Sequence, residues 1–234
     1  MRTAKTVLTV IQERGKQKKP IERVYKLLFN RELYLNAYAK LYPNNGAMTK
    51  GVTNETVDGM SIQKIDRMIE ILREEKYQWK PARREYIKKK NGKKRPLGIP
   101  VWGDKVLQEV MRQILEAYYE PQFSEHSHGF RPNRGCHTAL QEIQVWKGTR
   151  WFIEGDISQY FDTIDHKILL EILARNIHDG RFIRLVSNML EAGYLEEWKF
   201  KQTISGVPQG NLCRARHNPP YDEIDVMPRY VQYS

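Results

Sequence analysis

The stretch PARREYIKKKNGKKRPLGIP, residues 81–100, contains eight basic residues and one acidic residue. It carries +7 of the formal net charge of +11 of the 234-residue chain. Asn91-Gly92 is a strong signal for a two-residue β-hairpin turn, because both residues tolerate the left-handed backbone that this turn requires. The pattern predicts strands over Tyr86 to Lys90 and Lys93 to Ile99 that display cations to phosphate groups. The alternative interpretation of such a charge run is a solvated face.

Amphipathic helices are predicted on both sides of this hairpin. Before it, apolar residues at helical spacing follow Ser61, a typical N-cap residue. After it, a second stripe follows Asp104, which we interpret as the N-cap of a long helix. The two stripes consist of Ile62, Ile65, Ile69 and Leu72, and of Val106, Val110, Ile114 and Tyr118. Such stripes are typical of a protein core.

Two more helices and two strands are predicted farther along the chain. The helices cover Lys167 to Ile177, with Asp165 as N-cap, and Arg181 to Leu190. The strands cover Trp151 to Ile157 and Trp198 to Ile204. Many helices with few strands indicate the α+β class, here mixed helices with a small antiparallel sheet.

The composition limits the class of protein. A mean hydropathy of −0.67 excludes a transmembrane segment, so no membrane partner is expected, and the pI of about 9.5 favours nucleic acid as a partner. Cys136 and Cys213 are too few for a disulfide framework, which favours a reducing compartment. The first twenty residues lack the apolar region of a secretory signal. We expect a cytoplasmic protein, with an organelle as the alternative.

Residues 154–171 form an acidic segment inside this basic protein. Its acids are Glu154, Asp156, Asp162, Asp165 and Glu171. The strand predicted over Trp151 to Ile157 delivers Asp156 near its end, and a carboxylate in that place is a natural ligand for a hard divalent cation such as Mg²⁺. For Asp165 the simpler interpretation is the cap of the following helix.

Four blocks of sequence occur in a fixed order along the chain. They are RPLGIP at 95–100, EHSHGFRPNRG at 125–135, GDISQYFDTIDH at 155–166 and GVPQG at 206–210. In this order and spacing they resemble the reverse transcriptases encoded by group II introns, also called intron maturases. The stretch NNGAMTKGVTNETVDG at 44–59 is similar to the N-terminal finger extension of that family. The resemblance implies a partial right-hand polymerase, with fingers and an incomplete palm.

The resemblance also implies an activity, RNA-directed DNA polymerisation. The cofactor would be Mg²⁺, with Mn²⁺ as the alternative, and the partners would be an intron RNA template, a DNA primer or target, and dNTPs. Asp156 matches the first catalytic aspartate, which together with the backbone carbonyl of Ile157 holds two metal ions. Phe161 matches the bulky residue that excludes a ribose 2′-hydroxyl. Its alternative is an ordinary core aromatic.

Further positions match residues that touch nucleotide or template in the family. Lys89 and Arg95 match the hairpin residues that grip the incoming triphosphate. Gln209 matches a residue that lines the nucleotide site. The residues predicted to contact template or other RNA are Lys88, Lys93, Lys94 and Arg131.

Four potential zinc ligands lie close together in the second block and just after it. They are His126, His128, Cys136 and His137. Their spacing matches no common zinc pattern, so we interpret them as structural, with zinc as the alternative.

The resemblance divides the chain into four parts. These are a basic N-terminal arm (1–24), fingers with the extension and basic hairpin (25–100), the remaining fingers with a partial palm (101–210), and an off-pattern tail (211–234). The family's Tyr-x-Asp-Asp motif, which supplies a second metal ligand, does not occur in this sequence. We therefore expect a truncated or frameshifted form with a disordered tail and reduced polymerase activity.

Two other functions stay open at this point. One is a non-catalytic module that binds intron RNA during splicing, because the basic hairpin does not depend on the missing motif. The other is a related bacterial reverse transcriptase of a retroelement or defence system.

Overall fold

The computed structural model of the chain describes residues 2–44, 46–88, 92, 94–151, 153–155, 163–196 and 199–202, with residues 88 and 95 described by their backbone alone. The helices of this part are α1 (Ala4–Lys16), α2 (Arg31–Leu41), α3 (Ile62–Arg73), α4 (Trp102–Tyr119), α5 (Cys136–Gln144), α6 (His166–Asn176) and α7 (Gly180–Glu191). Its strands are β1 (Ile21–Glu22), β2 (Ala82–Lys88), β3 (Lys94–Ile99), β4 (Ile177–His178), β5 (Tyr194–Glu196) and β6 (Lys199–Lys201). Short 3₁₀ helices cover Val24–Phe29, Val57–Gly59 and Glu120–Gln122.

Helix α4 lies at the centre of the hydrophobic core. Its apolar side chains are almost completely removed from water, including Val106, Leu107, Val110, Met111 and Ile114. Helices α1 and α2 both pack against it. Burial of apolar area stabilises a fold by about 25 cal/mol per Å², so a helix buried along most of its length contributes heavily.

A buried ion network joins α2 to α4. The guanidinium of Arg112 makes two hydrogen bonds of 2.7 Å to the carboxylate of Glu109, and both side chains are 1% exposed. Lys40 of α2 reaches the same carboxylate at 3.1 Å. These bonds lower the pKa of Glu109 although its burial acts in the opposite direction. The network satisfies charges that would otherwise be costly in the core.

Helix α1 belongs to this core, whereas the sequence predicts residues 1–24 to be a basic arm apart from the fingers. Ala4 and Ile11 are buried. At Gly15 a Cβ atom would lie 2.0 Å from the carbonyl oxygen of Tyr118, so only glycine permits this approach of α1 to the end of α4. Three of the basic residues of this segment, Lys5, Arg14 and Lys16, therefore lie on a helix that is anchored to the core by its other face.

The strands of the described part form two small sheets. The four-stranded sheet has the order β3-β2-β5-β6, in which β2 pairs with β3 and β5 with β6 in antiparallel fashion, whereas β2 and β5 are parallel. The second sheet pairs β1 with β4 in parallel. The α+β class is confirmed, but the expected antiparallel sheet is mixed. The reason is the long helical connection between β2 and β5, since such crossovers permit parallel pairing.

Several sequence-based predictions of local structure are confirmed. The hairpin forms, with β2 and β3 in register from Arg83 opposite Ile99 to Lys88 opposite Lys94. This register differs by one residue from that of the predicted two-residue turn, which would place Lys88 opposite Arg95. The side chain of Ser61 caps α3 by accepting a hydrogen bond from the backbone N–H of Lys64 at 3.2 Å. Asp165 caps α6 in the same way.

Two predictions need correction, and a third is confirmed over part of its length. Helix α4 begins at Trp102 and its N-cap position is Val101, so Asp104 is not the cap. The strand predicted over 151–157 is absent at its described residues, where Trp151 and Ile153 are extended into solvent. A strand needs a neighbour for its backbone hydrogen bonds, and neither described sheet supplies one there. The strand predicted over 198–204 is observed at Lys199–Lys201.

The predicted tail at 211–234 lies outside the described residues. In the described part, no helix is both long enough and apolar enough to cross a membrane.

Candidate nucleic-acid interface

Strands β2 and β3 form a two-stranded ribbon, here called the basic ribbon, that runs from Ala82 to Ile99. Gly92 has φ +78°, the left-handed backbone expected at the Asn-Gly turn. At the far end of the ribbon Lys88 lies opposite Lys94 in the register, and Arg95 lies opposite Ile87. The side chain of Lys94 is exposed. The hairpin therefore brings predicted template-contacting residues to one end of the ribbon, while Lys89 and Lys93 lie outside the described residues.

The other end of the ribbon pairs with β5, which in turn pairs with β6. The backbone N–H of Ala82 donates to the carbonyl of Gly193 at 3.1 Å. Gly193 has φ +70°, and a Cβ atom there would lie 2.6 Å from the carbonyl oxygen of Lys201. Gly193 is thus required to be glycine, at the point where the chain leaves α7 and its carbonyl accepts the hydrogen bond from the attached end of the ribbon.

Cations near this base are engaged within the protein. The guanidinium of Arg84 lies 3.6 Å from the ring centroid of Tyr194, a cation–π contact. Arg83 donates from Nε to the carbonyl of Lys50 at 3.1 Å and pairs with Glu85. The ribbon therefore has an internally paired base and a cationic far end, which is the arrangement that suits an approaching polyanion.

A buried carboxylate holds the segment that enters the ribbon. Asp104 is 3% exposed, and its two oxygens accept hydrogen bonds from the Tyr77 hydroxyl at 2.6 Å and from the backbone N–H of Lys80 at 3.0 Å. Burial raises the pKa of Asp104 to about 6, and the two hydrogen bonds act in the opposite direction. Burial also raises the pKa of Tyr77, so its hydroxyl stays a donor.

The side chain of Arg131, predicted to contact template, is directed into the protein and is 8% exposed. Its Nε donates to Glu120 at 3.0 Å and one terminal nitrogen donates to the carbonyl of Ser127 at 3.0 Å. The guanidinium also lies 5.3 Å from the ring centroid of Phe123. This geometry gives Arg131 a role in holding the loop over residues 123–135. A direct template contact by Arg131 stays a prediction that this geometry does not favour.

Two of the potential zinc ligands bind a carboxylate. His128 contacts Glu142 through Nε2 at 2.7 Å and Thr138 through Nδ1 at 2.8 Å, and His126 pairs with the other oxygen of Glu142. The hydrogen bonds from His128 and His126 lower the pKa of Glu142. These contacts fasten the loop over residues 123–135 to α5, which agrees with the structural interpretation of the histidines.

The predicted catalytic and nucleotide-contacting residues Asp156, Ile157, Phe161 and Gln209 lie outside the described residues. Among the residues that the structure describes, no group of three His, Cys, Asp or Glu side chains is placed to hold a metal ion. The assignment of Mg²⁺ to Asp156 therefore rests on the sequence block.

Sequence reasoning missed the role of Asp104. A signal for it exists, since Asp104, Leu107, Gln108 and Met111 follow the spacing of one helix face. An acid on a buried helix face needs hydrogen-bond donors from another segment. Glu142 was missed because nothing in the local pattern of α5 links it to residues 14 and 16 positions earlier.

Much of this sequence is shared with known proteins. A family model described as reverse transcriptase (RNA-dependent DNA polymerase) matches residues 87–213. The chain is 49% identical over 192 residues to the group II intron-encoded protein LtrA of Lactococcus lactis subsp. cremoris, an alignment that covers 81% of this chain and 32% of that protein. It is 46% identical over 217 residues to an uncharacterized 91 kDa protein in a cob intron of Schizosaccharomyces pombe, with 89% and 27% covered. The chain thus spans about a third or less of the length of these relatives.

Among solved structures, a partial Cas6-RT-Cas1–Cas2 complex contains a similar chain. The TM-score is 0.54 at 18% sequence identity, and the match covers 80% of this chain and 32% of that chain. At this identity the likeness concerns the fold, and it confirms the mixed helix-and-strand polymerase fold expected from the sequence blocks.

Proposed function

The chain belongs to the reverse transcriptase (RNA-dependent DNA polymerase) family, and on this premise we propose that it serves RNA-directed DNA synthesis of the kind encoded by group II introns. The observation that carries the proposal is the 49% identity over 192 residues to a group II intron-encoded protein. The matched region begins in the basic ribbon and continues through the block that contains Asp156.

In this proposal the chain divides the work between two places. The basic ribbon binds the phosphates of the RNA template and of the incoming dNTP. Its basic side chains lie together at the far end, whereas the arginines at the attached end already have partners within the protein. Asp156, with the backbone carbonyl of Ile157, would hold Mg²⁺, whose chemistry is to stabilise the charge that develops on the transferred phosphate. Phe161 and Gln209 would select and line the nucleotide.

Primer extension on an RNA template tests the synthetic activity. The wild-type chain is compared with Asp156→Ala and with the matched control Glu154→Ala, which removes an exposed acid two residues earlier. The expected result is Mg²⁺-dependent dNTP incorporation that Asp156→Ala abolishes and Glu154→Ala leaves intact. Because the sequence has no Tyr-x-Asp-Asp motif, we expect slow incorporation. Equal incorporation by both variants would contradict the role of Asp156.

A second candidate function is binding of intron RNA without catalysis. The observation that favours it is the attachment of the basic ribbon. Its base is fixed to α4, α7 and β5, and none of these contacts involves the residues predicted to bind metal or nucleotide. Absence of any incorporation in primer extension, together with tight RNA binding, would select this function over the first.

RNA binding can be tested by measuring affinity between about 50 and 200 mM salt. The triple variant Lys88→Ala, Lys93→Ala, Lys94→Ala removes charge from the ribbon. A matched triple variant at the exposed lysines Lys5, Lys16 and Lys26 removes the same charge elsewhere. The salt slope is the steepness with which the logarithm of the binding constant falls with the logarithm of salt concentration. Loss of three phosphate contacts lowers this slope by about 2 for a single-stranded nucleic acid. We expect this in the ribbon variant only, and an equal effect in both variants would show diffuse charge attraction instead.

A further inference from the structure

The segment over residues 77–80 leads into the basic ribbon and is held by α4 and α7. Asp104 binds this segment at both ends, through the hydroxyl of Tyr77 and through the backbone N–H of Lys80. Between them, the indole Nε1 of Trp79 donates to the carbonyl of Leu185 on α7 at 3.0 Å. The rings of Tyr77 and Trp79 also meet edge to face, with centroids 5.2 Å apart.

These contacts make Asp104 the acidic group of the attachment. Other contacts near the base of the ribbon are the bond of Trp79 to α7, the backbone bond from Ala82 to Gly193, and the contacts of Arg83 and Arg84 described above. Both donors of Asp104 point at a carboxylate that is almost completely removed from water, and hydrogen bonds to a charged group are the stronger kind.

A small change at this attachment becomes large at the far end of the ribbon. Strand β2 has seven residues and at about 3.3 Å per residue reaches about 20 Å from its base. A rotation of about 10° at the base therefore moves the cationic end by about 3.5 Å. That displacement exceeds the length of a hydrogen bond, so phosphate contacts made at the far end depend on the angle at the base.

We propose that Asp104 is a positioning residue for nucleic-acid binding, whose carboxyl group fixes the direction of the basic ribbon through Tyr77 and Lys80. The inference rests on the proposed function, because it assigns a control point to the same ribbon. Asp104 itself touches neither template nor nucleotide in this assignment. It acts through the segment over residues 77–80.

Protonation by itself leaves the attachment in place. A neutral carboxyl group can accept from the backbone N–H of Lys80 with one oxygen and donate its proton to the Tyr77 hydroxyl, which can accept as well as donate. The titratable groups that face Asp104 are Tyr77 and Lys80 on the preceding segment and Glu55 farther away. On the side of α7 the neighbours are Met189, Ala192 and Gly193, which carry no charge.

Asp104→Ala removes both hydrogen bonds. Asp104→Asn keeps both, because its amide oxygen can accept from Lys80 and its N–H₂ group can donate to the Tyr77 hydroxyl, so it is the conservative variant that should restore the attachment. Asp66→Ala is the matched control, since it removes a carboxylate from a partly exposed pair with Arg31 on the surface.

The experiment combines hydrogen exchange of the free protein with RNA binding. In Asp104→Ala at pH 7.5, we expect exchange of the ribbon amides, corrected for intrinsic rates, to rise at least about tenfold while α2 amides keep their protection. The salt slope of RNA binding should fall by about 1. Asp104→Asn, which keeps both hydrogen bonds, and Asp66→Ala should behave as wild type.

Three results would overturn the proposal. They are unchanged exchange of the ribbon in Asp104→Ala, a loss of protection that extends equally to α2, and a loosened ribbon with an unchanged salt slope. Should Asp104→Ala fail to fold, Tyr77→Phe removes only the hydroxyl bond and is judged by the same three results. A wild-type chain without salt-dependent RNA binding would instead overturn the proposed function, and this result is read before any variant is compared.

Discussion

Helices α4 and α5 are both amphipathic, yet they are stabilised in different ways. Twelve of the 18 residues of α4 are buried, whereas none of the nine residues of α5 is. Leu107 of α4 is 0% exposed and Leu140 of α5 is 56% exposed. An isolated helix as short as α5 is marginal in water. The polar contacts of Glu142 and Thr138 with the loop over residues 123–135 are therefore what hold α5.

The comparison shows that an apolar stripe in a sequence does not by itself predict how much a helix contributes to the free energy of unfolding. The apolar stripe of α4 meets α1 and α2, and its charged residues find buried partners. The apolar residues of α5 and of the following segment, including Trp146 and Trp151, face solvent in the described part of the chain. The contribution of each stripe depends on the surface that covers it.

A matched pair of truncations tests this difference with the largest expected effect. Leu107→Ala should lower the free energy of unfolding by about 2–5 kcal/mol, because it leaves a cavity in the core. Leu140→Ala should change it by less than about 0.5 kcal/mol, because that side chain is already largely hydrated. Denaturant unfolding measures both. A cost for Leu140→Ala similar to that of Leu107→Ala would show that the exposed face of α5 is covered in solution.

Two carboxylates provide a second test, because one is buried on α4 and the other is on α5. The pKa of Asp104 is raised to about 6, so the native state binds a proton more readily than the unfolded chain between about pH 4 and 6. Its contribution to stability is fully present at low pH and is lost as pH rises through about 6. Relative to Asp104→Asn, the wild-type chain should lose about 2–3 kcal/mol of stability across this window. Parallel pH profiles of the two proteins would refute this.

The second carboxylate should show the opposite sign and the smallest effect. Hydrogen bonds from His128 and His126 lower the pKa of Glu142, so its contribution is present above the ordinary carboxyl pKa and is lost as pH falls through the lowered value. Glu142→Gln should remove this acid-side loss and increase amide exchange in residues 124–135, with little change in α4. Hydrogen exchange against pH measures it. Unaltered exchange in that loop would mean that Glu142 does not hold it.

Local patterns predicted much of the fold. The Asn-Gly dipeptide between alternating segments predicted the basic ribbon, and Ser61 and Asp165 predicted the starts of α3 and α6. These signals work because turn and cap geometry depends on hydrogen bonds within three or four residues. For the candidate site, the sequence predicted a cationic ribbon, and the described part confirms the antiparallel pairing of its strands in a register shifted by one residue from that of a two-residue turn.

Other predictions failed because they needed information from distant segments. Asp104 has the residue type and place of a cap, but its partners Tyr77 and Lys80 lie more than 20 residues earlier. The apolar run at 151–157 has strand composition, yet the described sheets supply no neighbour for it. Arg131 has the residue type of a phosphate ligand, but Glu120 and backbone carbonyls take its donors.

The sequence by itself determined the family, the helices α3, α4, α6 and α7, the hairpin and the basic character of its far end, because each depends on residue types at short spacing. Only the tertiary structure decided which acid is buried, which way Arg131 points and where the ribbon is attached. The attachment joins Trp79 to Leu185, 106 residues apart, and pairs β2 with β5 in parallel. The physical reason is that burial and hydrogen-bond partners are set by packing between segments, and no short-range pattern records which segments meet.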